Sequence, residues 1–423
     1  MKTKLAVQDL RLGMVVSELD RPWQGTPFLF QGFAISTDEE LTQLRSLCQF
    51  VFIDTEAPAV APPATRKPST TSRSSGSSVP TESVITILPT FDALKKFTSG
   101  APHAPFYKDQ VSTEAELPRA REIVGHTREL AFNIMDDVRL GRSLPTANAK
   151  STVADIVESV IRNPDALVCL AQLKKRDEYT VLHSMRVCIL ALTFGRHLEF
   201  NVEELNLLGL GALLHDVGKI KVPDEILNKP GRLTPAEYDI IKTHVPLGVE
   251  IVESHSGIPA ASIEVVRSHH ERFNGAGYMK GLAGDHIGFF ASIGAIVDCY
   301  DAITSDRVYH AAVSGSDALQ IMYAARGKDF HPDLLEQFIQ CMGIYPIGSL
   351  VELNSGAVGV VVSVNREWRL RPRVALVLMP DKLPYAAPKM VNVMQHDTDL
   401  GIRKILPVGT FGVNPLDYLP AAT

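Results

Sequence analysis

Histidine is distributed unevenly along this chain, and that unevenness restricts the fold more than any other feature. Nine of the 13 histidines lie between His183 and His310, in a stretch that is otherwise largely apolar and helical in pattern. His183, His215 beside Asp216, His244, the pair His269 and His270, and Asp298 each sit in such a context. An unpaired buried charge is expensive, so a pair like His215 and Asp216, at the end of the apolar run in LLHDVGKI, has something to bind or a partner elsewhere in the fold. A lone helical histidine is usually ordinary core or surface. Five such places in succession point instead to a shared cage.

The surrounding pattern says how the chain is divided. From about Glu114 to Lys174, apolar positions such as Ile123, Leu130 and Ile134 recur on one face, and helices are expected to continue to about Met342. In LTPAEYDIIKTH, Thr234 caps, Pro235 takes the first helical position and Glu237 completes a capping box. That helix should deliver His244 about two turns beyond its start, just before Pro246 disrupts the hydrogen-bond ladder. Adjacent helical residues diverge by roughly 100°, so His269 and His270 can face one ion only near a helix end. SHHERFNGAGY supplies such an end, with Gly275 and Gly277 close behind.

Outside this stretch the period changes. MVVSEL and FVFID read as short strands flanking a helical EELTQLRSLC, a small α/β module over residues 1–57. Residues 58–81, rich in Pro, Ser and Thr and without an aromatic, read as a flexible linker. Residues 82–144 read as a helical connector. After Gly343, SLVELNSGAVGVVVSV reads as two β runs around an Asn-Ser-Gly turn, followed by a strand-like RVALVLM, so residues 343–423 form a small β-rich C-terminal unit. The expected class is mainly α.

Composition removes several functions. The net charge is −6 and no dense Lys/Arg run occurs, so long nucleic acids are not expected partners. The longest apolar run, Ile287 to Val297, is too short and too rich in Gly and Ser to span a bilayer. The N-terminus lacks the apolar stretch of a secretory signal, and a cytoplasmic location is expected. The five cysteines are widely spaced without a CxxC pair, which argues against disulfides or a thiolate zinc site. Imidazoles and carboxylates without thiolates suit Fe, Mn, Zn or Ni. Five His and two Asp exceed what one catalytic ion needs if it keeps a position open, so two ions are the natural count. The Asp next to a ligating His, with two oxygens, is the obvious bridge.

YTVLHS, LLHDVGKIKVPDEILNKPGRLTPAEY, HVPLG, HHERFNGAGY and DCYDAITSDRVY, in that order, resemble the HD superfamily of metal-dependent phosphohydrolases. They resemble most its HD-GYP branch, the bacterial cyclic di-GMP phosphodiesterases. The resemblance covers about residues 145–342 and implies an all-helical HD-type domain there. The first 57 residues also resemble the module of unknown function often found before HD-GYP domains.

Carried over, the family pattern implies His183, His215 and Asp298 on one ion, His244, His269 and His270 on the other, and Asp216 bridging them. Two divalent transition-metal ions are implied, Fe or Mn foremost, with Ni or Zn as alternatives. Some relatives hold a third ion with a glutamate where this chain has Tyr179. Asp216 and Lys219 are implied as catalytic, Lys219 adding positive charge to the developing phosphorane. Arg307, Tyr278 and His310 are the implied substrate contacts: Arg307 on phosphate, Tyr278 against a guanine, and His310 in place of a basic phosphate-contacting residue. A pair of cations lowers the pKa of water and neutralises phosphate oxygens, so no protein nucleophile is required.

The implied reaction is hydrolysis of a 3′,5′-phosphodiester of cyclic di-GMP to pGpG, with continuation to GMP left open. A diguanylate cyclase or effector protein is the implied protein partner, and oligomerisation stays open. The chain departs from the family at Met279, where the signature loop has Pro, and at Asn274, Ser292 and His310. None of these is a metal ligand. They leave two alternatives: a weakly active or inactive cyclic di-GMP receptor, and a hydrolase of another cyclic dinucleotide.

Overall fold

The computed structural model describes residues 2–21, 26, 28, 30, 32–54, 88–98, 106–173, 179–305, 312–366, 371–393 and 400–420. The stretch read as a linker, 58–81, lies outside them. The chain forms two compact units, Met1–Ile87 and Leu88–Thr423.

In the first unit, β1 (Lys2–Ala6), β2 (Val15–Leu19), β3 (Phe33–Ala34) and β4 (Phe50–Asp54) form an antiparallel sheet of order β1-β4-β2-β3. Helix α1 (Asp38–Leu47) starts at a capping box between Thr37 and Glu40 and buries Leu41 and Leu44 in a core with Val16 and Val51. The two strands and helix expected from the sequence are present. β1 and β3 are additional; β1 pairs along β4 from Lys2 opposite Asp54 to Ala6 opposite Phe50.

The second unit is mainly helical. Among the described residues its helices of eight residues or more are α2 (Thr113–Arg139), α3 (Thr146–Arg162), α4 (Pro164–Gln172), α5 (Tyr179–His197), α6 (Val202–Leu214), α7 (Pro235–Lys242), α8 (His244–Glu253), α9 (Ala260–Ser268), α10 (Phe289–Ile303), α11 (Gly315–Ala324) and α12 (Pro332–Met342). At the centre α6 packs on α5 and α9, and α10 packs on the same two helices. Both α6 and α10 are buried around most of their circumference, which is why their sequences show no polar face. Helix α7 begins as the capping box predicts, with Thr234 Oγ1 accepting from Glu237 N.

One expectation is corrected. Pro246 does not disrupt the ladder of the helix that precedes it. That helix ends at Lys242, and Pro246 lies in the first turn of α8, where a missing N–H leaves no bond unmade.

Helix α12 ends at Met342, and Gly343 follows at φ 76°, a left-handed conformation that suits glycine. Beyond it β5 (Leu350–Leu353), β6 (Val358–Ser363) and β7 (Arg373–Leu378) are the strands expected, and β8 (Pro384–Asn392) and β9 (Ile402–Leu406) complete an antiparallel sheet of order β8-β7-β6-β5-β9. Among the described residues no helix is long and apolar enough to cross a membrane.

Candidate metal centre and active site

Helix α6 stops at Leu214, so His215 and Asp216 leave the helical ladder just where the chain enters a 3-10 turn, Val217–Lys221. Gly218 in that turn permits a close approach. A Cβ there would lie 1.9 Å from the His244 carbonyl oxygen and 2.4 Å from the Gly248 nitrogen. Only glycine lets the turn press onto the start of α8, which seats Asp216 against His244. Helix α9 ends at Ser268, and His269 and His270 follow at the helix end their adjacency requires. His183 comes from α5 and Asp298 from α10.

The Asp216 carboxylate lies at the middle. Its Oδ2 is 3.2 Å from His215 Nε2 and 3.5 Å from His183 Nε2. Its Oδ1 is 3.4 Å from His244 Nε2 and 3.9 Å from His269 Nε2. Two donor groups result, each within 4.8 Å internally: His183, His215 and Asp216, and Asp216, His244, His269 and His270. Asp298 faces both, with Oδ1 3.1 Å from His183 Nε2 and Oδ2 3.9 Å from His270 Nδ1. All seven residues singled out from the sequence therefore meet in one place.

The outward nitrogens fix the tautomers. Nδ1 of His215 is 2.8 Å from the Ala212 carbonyl, Nδ1 of His244 is 2.6 Å from that of Ile241, and Nδ1 of His269 is 3.0 Å from that of Val266. A carbonyl can only accept, so each Nδ1 carries a proton and Nε2 is the atom turned into the cage; in His244 and His269, whose pKa is lowered, the ring is neutral and that Nε2 presents a lone pair. Burial holds the pKa of His244 below its ordinary value and pushes His269 down to about 3. Burial and the neighbouring His269 hold His270 well below its ordinary value. For His183 burial works downward, but Asp298 and Asp301 outweigh it and raise the pKa. Burial opposes ionisation of Asp216 and Asp298 too, yet His215 and Lys219 hold the first well below the carboxylate range and His183 does so for the second.

This donor set fits divalent cations. His215 Nε2 and Asp216 Oδ1 are buried without a hydrogen-bond partner. The lone pairs of His244 Nε2 and His269 Nε2 meet at 3.5 Å, and His270 Nε2 is 3.2 Å from the former. Acceptors gathered this closely in a dry interior repel one another unless a cation lies among them.

Lys219 projects from the same 3-10 turn and its Nζ pairs with Asp216 Oδ2, with 18% of the side chain exposed. Tyr278 stacks on His270, ring centroids 4.6 Å apart and planes at 25°. The loop carrying it is tied to the buried Glu271, whose carboxylate accepts from Lys280 N at 2.7 Å and Leu282 N at 3.0 Å. A Cβ at Gly277 would lie 2.4 Å from Arg272 N, so the loop closes tightly although Met279 stands where the family has Pro. Arg307 and His310 lie outside the described residues.

Sequence reasoning missed Asp301 and Arg186. Asp301, one turn beyond Asp298, accepts from His183 Nδ1 at 2.7 Å and is clamped by Arg186, Nε at 2.7 Å and Nη2 at 3.0 Å. The signal was available as a carboxylate at i+3 from Asp298 and a guanidinium at i+3 from His183, both on apolar helices.

A family model described as HD domain matches residues 167–334, and one described as a domain of unknown function (DUF3391) matches residues 2–149. The chain is 35% identical over 403 residues, 95% of its length and 89% of the other, to cyclic di-GMP phosphodiesterase PA4108 of Pseudomonas aeruginosa. It belongs to the HD-GYP family. A second relative, the cyclic di-GMP phosphodiesterase response regulator RpfG of Xanthomonas campestris pv. campestris, is 34% identical over 191 residues, 44% of this HD-GYP chain and 50% of that protein. Among solved structures, the HDG"Y"P protein Bd1817 of Bdellovibrio bacteriovorus aligns over 81% of this chain and 99% of its own, with a TM-score of 0.46 and 16% identity.

Proposed function

We propose that this HD-GYP protein is a cyclic di-GMP phosphodiesterase that hydrolyses one 3′,5′-phosphodiester bond to give linear pGpG. The observation that carries the reading is the division of Asp216: each carboxylate oxygen faces a separate histidine group. In this reading His183, His215 and Asp298 hold one divalent ion, His244, His269 and His270 hold another, and Asp216 is shared. Iron or manganese suits this nitrogen and oxygen set, with nickel or zinc as alternatives. When bound, such ions lower the pKa of water and neutralise phosphate oxygens.

The chain's own groups prepare that chemistry. Asp301, fixed by Arg186, sets the ring orientation of His183. The carbonyls of Ala212, Ile241 and Val266 do the same for His215, His244 and His269. Lys219, partly exposed beside Asp216, offers an ammonium where phosphoryl oxygens gain negative charge. Water oxygen bonds to phosphorus, the P–O3′ bond breaks, and the 3′ oxygen leaves with a proton.

The experiment pairs elemental analysis of anaerobically purified protein with chromatography of a cyclic di-GMP reaction. The expected result is about two transition-metal ions per chain and metal-dependent conversion to pGpG. Absence of turnover under Fe, Mn, Ni and Zn loading would sink the enzyme reading. Saturable nucleotide binding, with turnover no faster than in Asp216→Asn, would identify a receptor instead.

A further inference from the structure

Helix α7 buries none of its residues, yet it carries a tyrosine and a lysine that the cage chemistry does not use. Tyr238 is 46% exposed, so core packing does not account for it. Its ring meets Tyr278 at right angles, centroids 6.3 Å apart and planes at 80°. Tyr278 in turn lies on His270. Lys242 holds its ammonium 5.0 Å from the Tyr238 centroid and 5.9 Å from that of Tyr278, and it also pairs with Asp239 at 2.6 Å. One residue, Thr243, separates Lys242 from His244. Two perpendicular rings and a cation thus form an open corner, one ring removed from the cage.

We propose that Tyr238 and Lys242 are specificity-determining residues of this site, Tyr238 stacking on one base of the cyclic dinucleotide and Lys242 taking the phosphate that is not cut. The inference rests on the phosphodiesterase reading above. Its physical basis is the shape of the substrate. In a cyclic dinucleotide each flat base lies one sugar away from a phosphate, so a phosphate at the cage places a base beside it. Aromatic faces bind bases whatever their hydrogen-bonding edge. An ammonium on a flexible stem follows a phosphate as a point charge. Helix α7 is held firmly where such contacts need it, because Glu237 closes its capping box and accepts from Lys229 at 2.7 Å.

The test uses full-length, metal-loaded protein and two substrates, cyclic di-GMP and bis(4-nitrophenyl) phosphate, which has no base and no second phosphate. Tyr238→Ala and Lys242→Ala should each raise KM for cyclic di-GMP roughly tenfold, with kcat within about twofold of wild type. The ratio of kcat/KM between cyclic di-GMP and the chromogenic diester should fall by about the same factor. Tyr238→Phe keeps the ring face and should restore wild-type KM. The Lys242→Ala effect should shrink with added salt while the Tyr238→Ala effect does not.

Parallel losses on both substrates would make the corner a structural feature and overturn the proposal, as would a KM unmoved in both variants. Wild-type protein that cuts the chromogenic diester and neither binds nor cuts cyclic di-GMP would overturn the substrate reading, and this corner with it. Normal wild-type turnover with unmoved variants would overturn the corner alone.

Discussion

Two aspartates in the helical unit are buried almost equally, Asp165 at 1% exposure and Asp216 at 2%, and their surroundings differ in kind. Asp165 Oδ2 accepts from Ser363 Oγ at 2.7 Å and Val364 N at 3.1 Å, and its Oδ1 pairs with Arg366. Arg366 reaches on to Asp109 at 3.3 Å, and Asp109 takes Arg196 at 2.8 Å. Carboxylates and guanidiniums alternate, and both Asp165 oxygens receive donors. Around Asp216 the neighbours are mainly imidazoles that present acceptors, with Lys219 the one fixed cation among the contacts described. Burial of charge is common to both. Acceptor capacity left over after folding belongs to the second alone, and that surplus marks a place for ligands.

The largest expected effect comes from cancelling the charge that two histidine groups share. Asp216→Asn keeps the volume but replaces one of the two carboxylate oxygens with an amide nitrogen and cancels the charge; cyclic di-GMP turnover should fall by on the order of a thousandfold, and elemental analysis should show the metal content lost. The chain should still fold, because an amide is easier to bury than a carboxylate. The contrasting change is Asp165→Asn. It leaves Arg366, 21% exposed and still paired with Asp109, with part of its compensation gone and should cost about 1–3 kcal/mol of stability by denaturant titration. Metal content per folded chain should stay at the wild-type value. Metal loss in Asp165→Asn, or a comparable stability loss in Asp216→Asn, would erase the distinction between the two regions.

The two regions were also unequally legible in the sequence. The cage was visible because its members sit at helix ends and on apolar helices, where local rules apply. The Thr234 capping box and the helix end at His269 follow short-range patterns. The Asp165 cluster was invisible, since Arg366 and Asp165 are 201 residues apart and no local rule joins them. Exposure hid β8 in the same way: seven of its nine positions face solvent, so its residues show no alternation. Pro246 is ambiguous locally, because one sequence supports both a broken helix and a new first turn. Asp301 was within reach of helical spacing; Arg307 and His310 were assigned by resemblance and lie outside the described residues.

Asp301 offers a smaller test of the contrast, because it belongs to both types of region. It is paired with a guanidinium like Asp165, yet one of its oxygens is given to a cage histidine. Asp301→Asn should weaken metal affinity by roughly 10–100-fold, the usual effect of removing a carboxylate behind a ligating histidine. Competitive chelator titration measures this directly. A variant that unfolds with unchanged metal affinity while folded would assign Asp301 to scaffolding alone.

The smallest effect is a pH slope that separates the cage from the rest of the core. In metal-free protein His269 titrates near pH 3 because of its burial, whereas an unfolded chain protonates histidine at about 6.5. Between those values the unfolded state binds more protons, so the contribution of His269 to stability falls as pH drops from about 6.5 toward 3. The slope is at most about 1.4 kcal/mol per pH unit for one histidine. His244 and His270 act in the same direction, and His183, whose pKa is raised, acts against them. Melting curves of metal-free wild type and His269→Gln across this range should diverge toward neutral pH, the variant being flatter. Bound metal should carry the fall in stability to lower pH, since protons must then displace the ions. Parallel curves for the two proteins would mean that the imidazole of His269 is not held neutral by its burial, and the lone pair assigned to the cage would be lost with it.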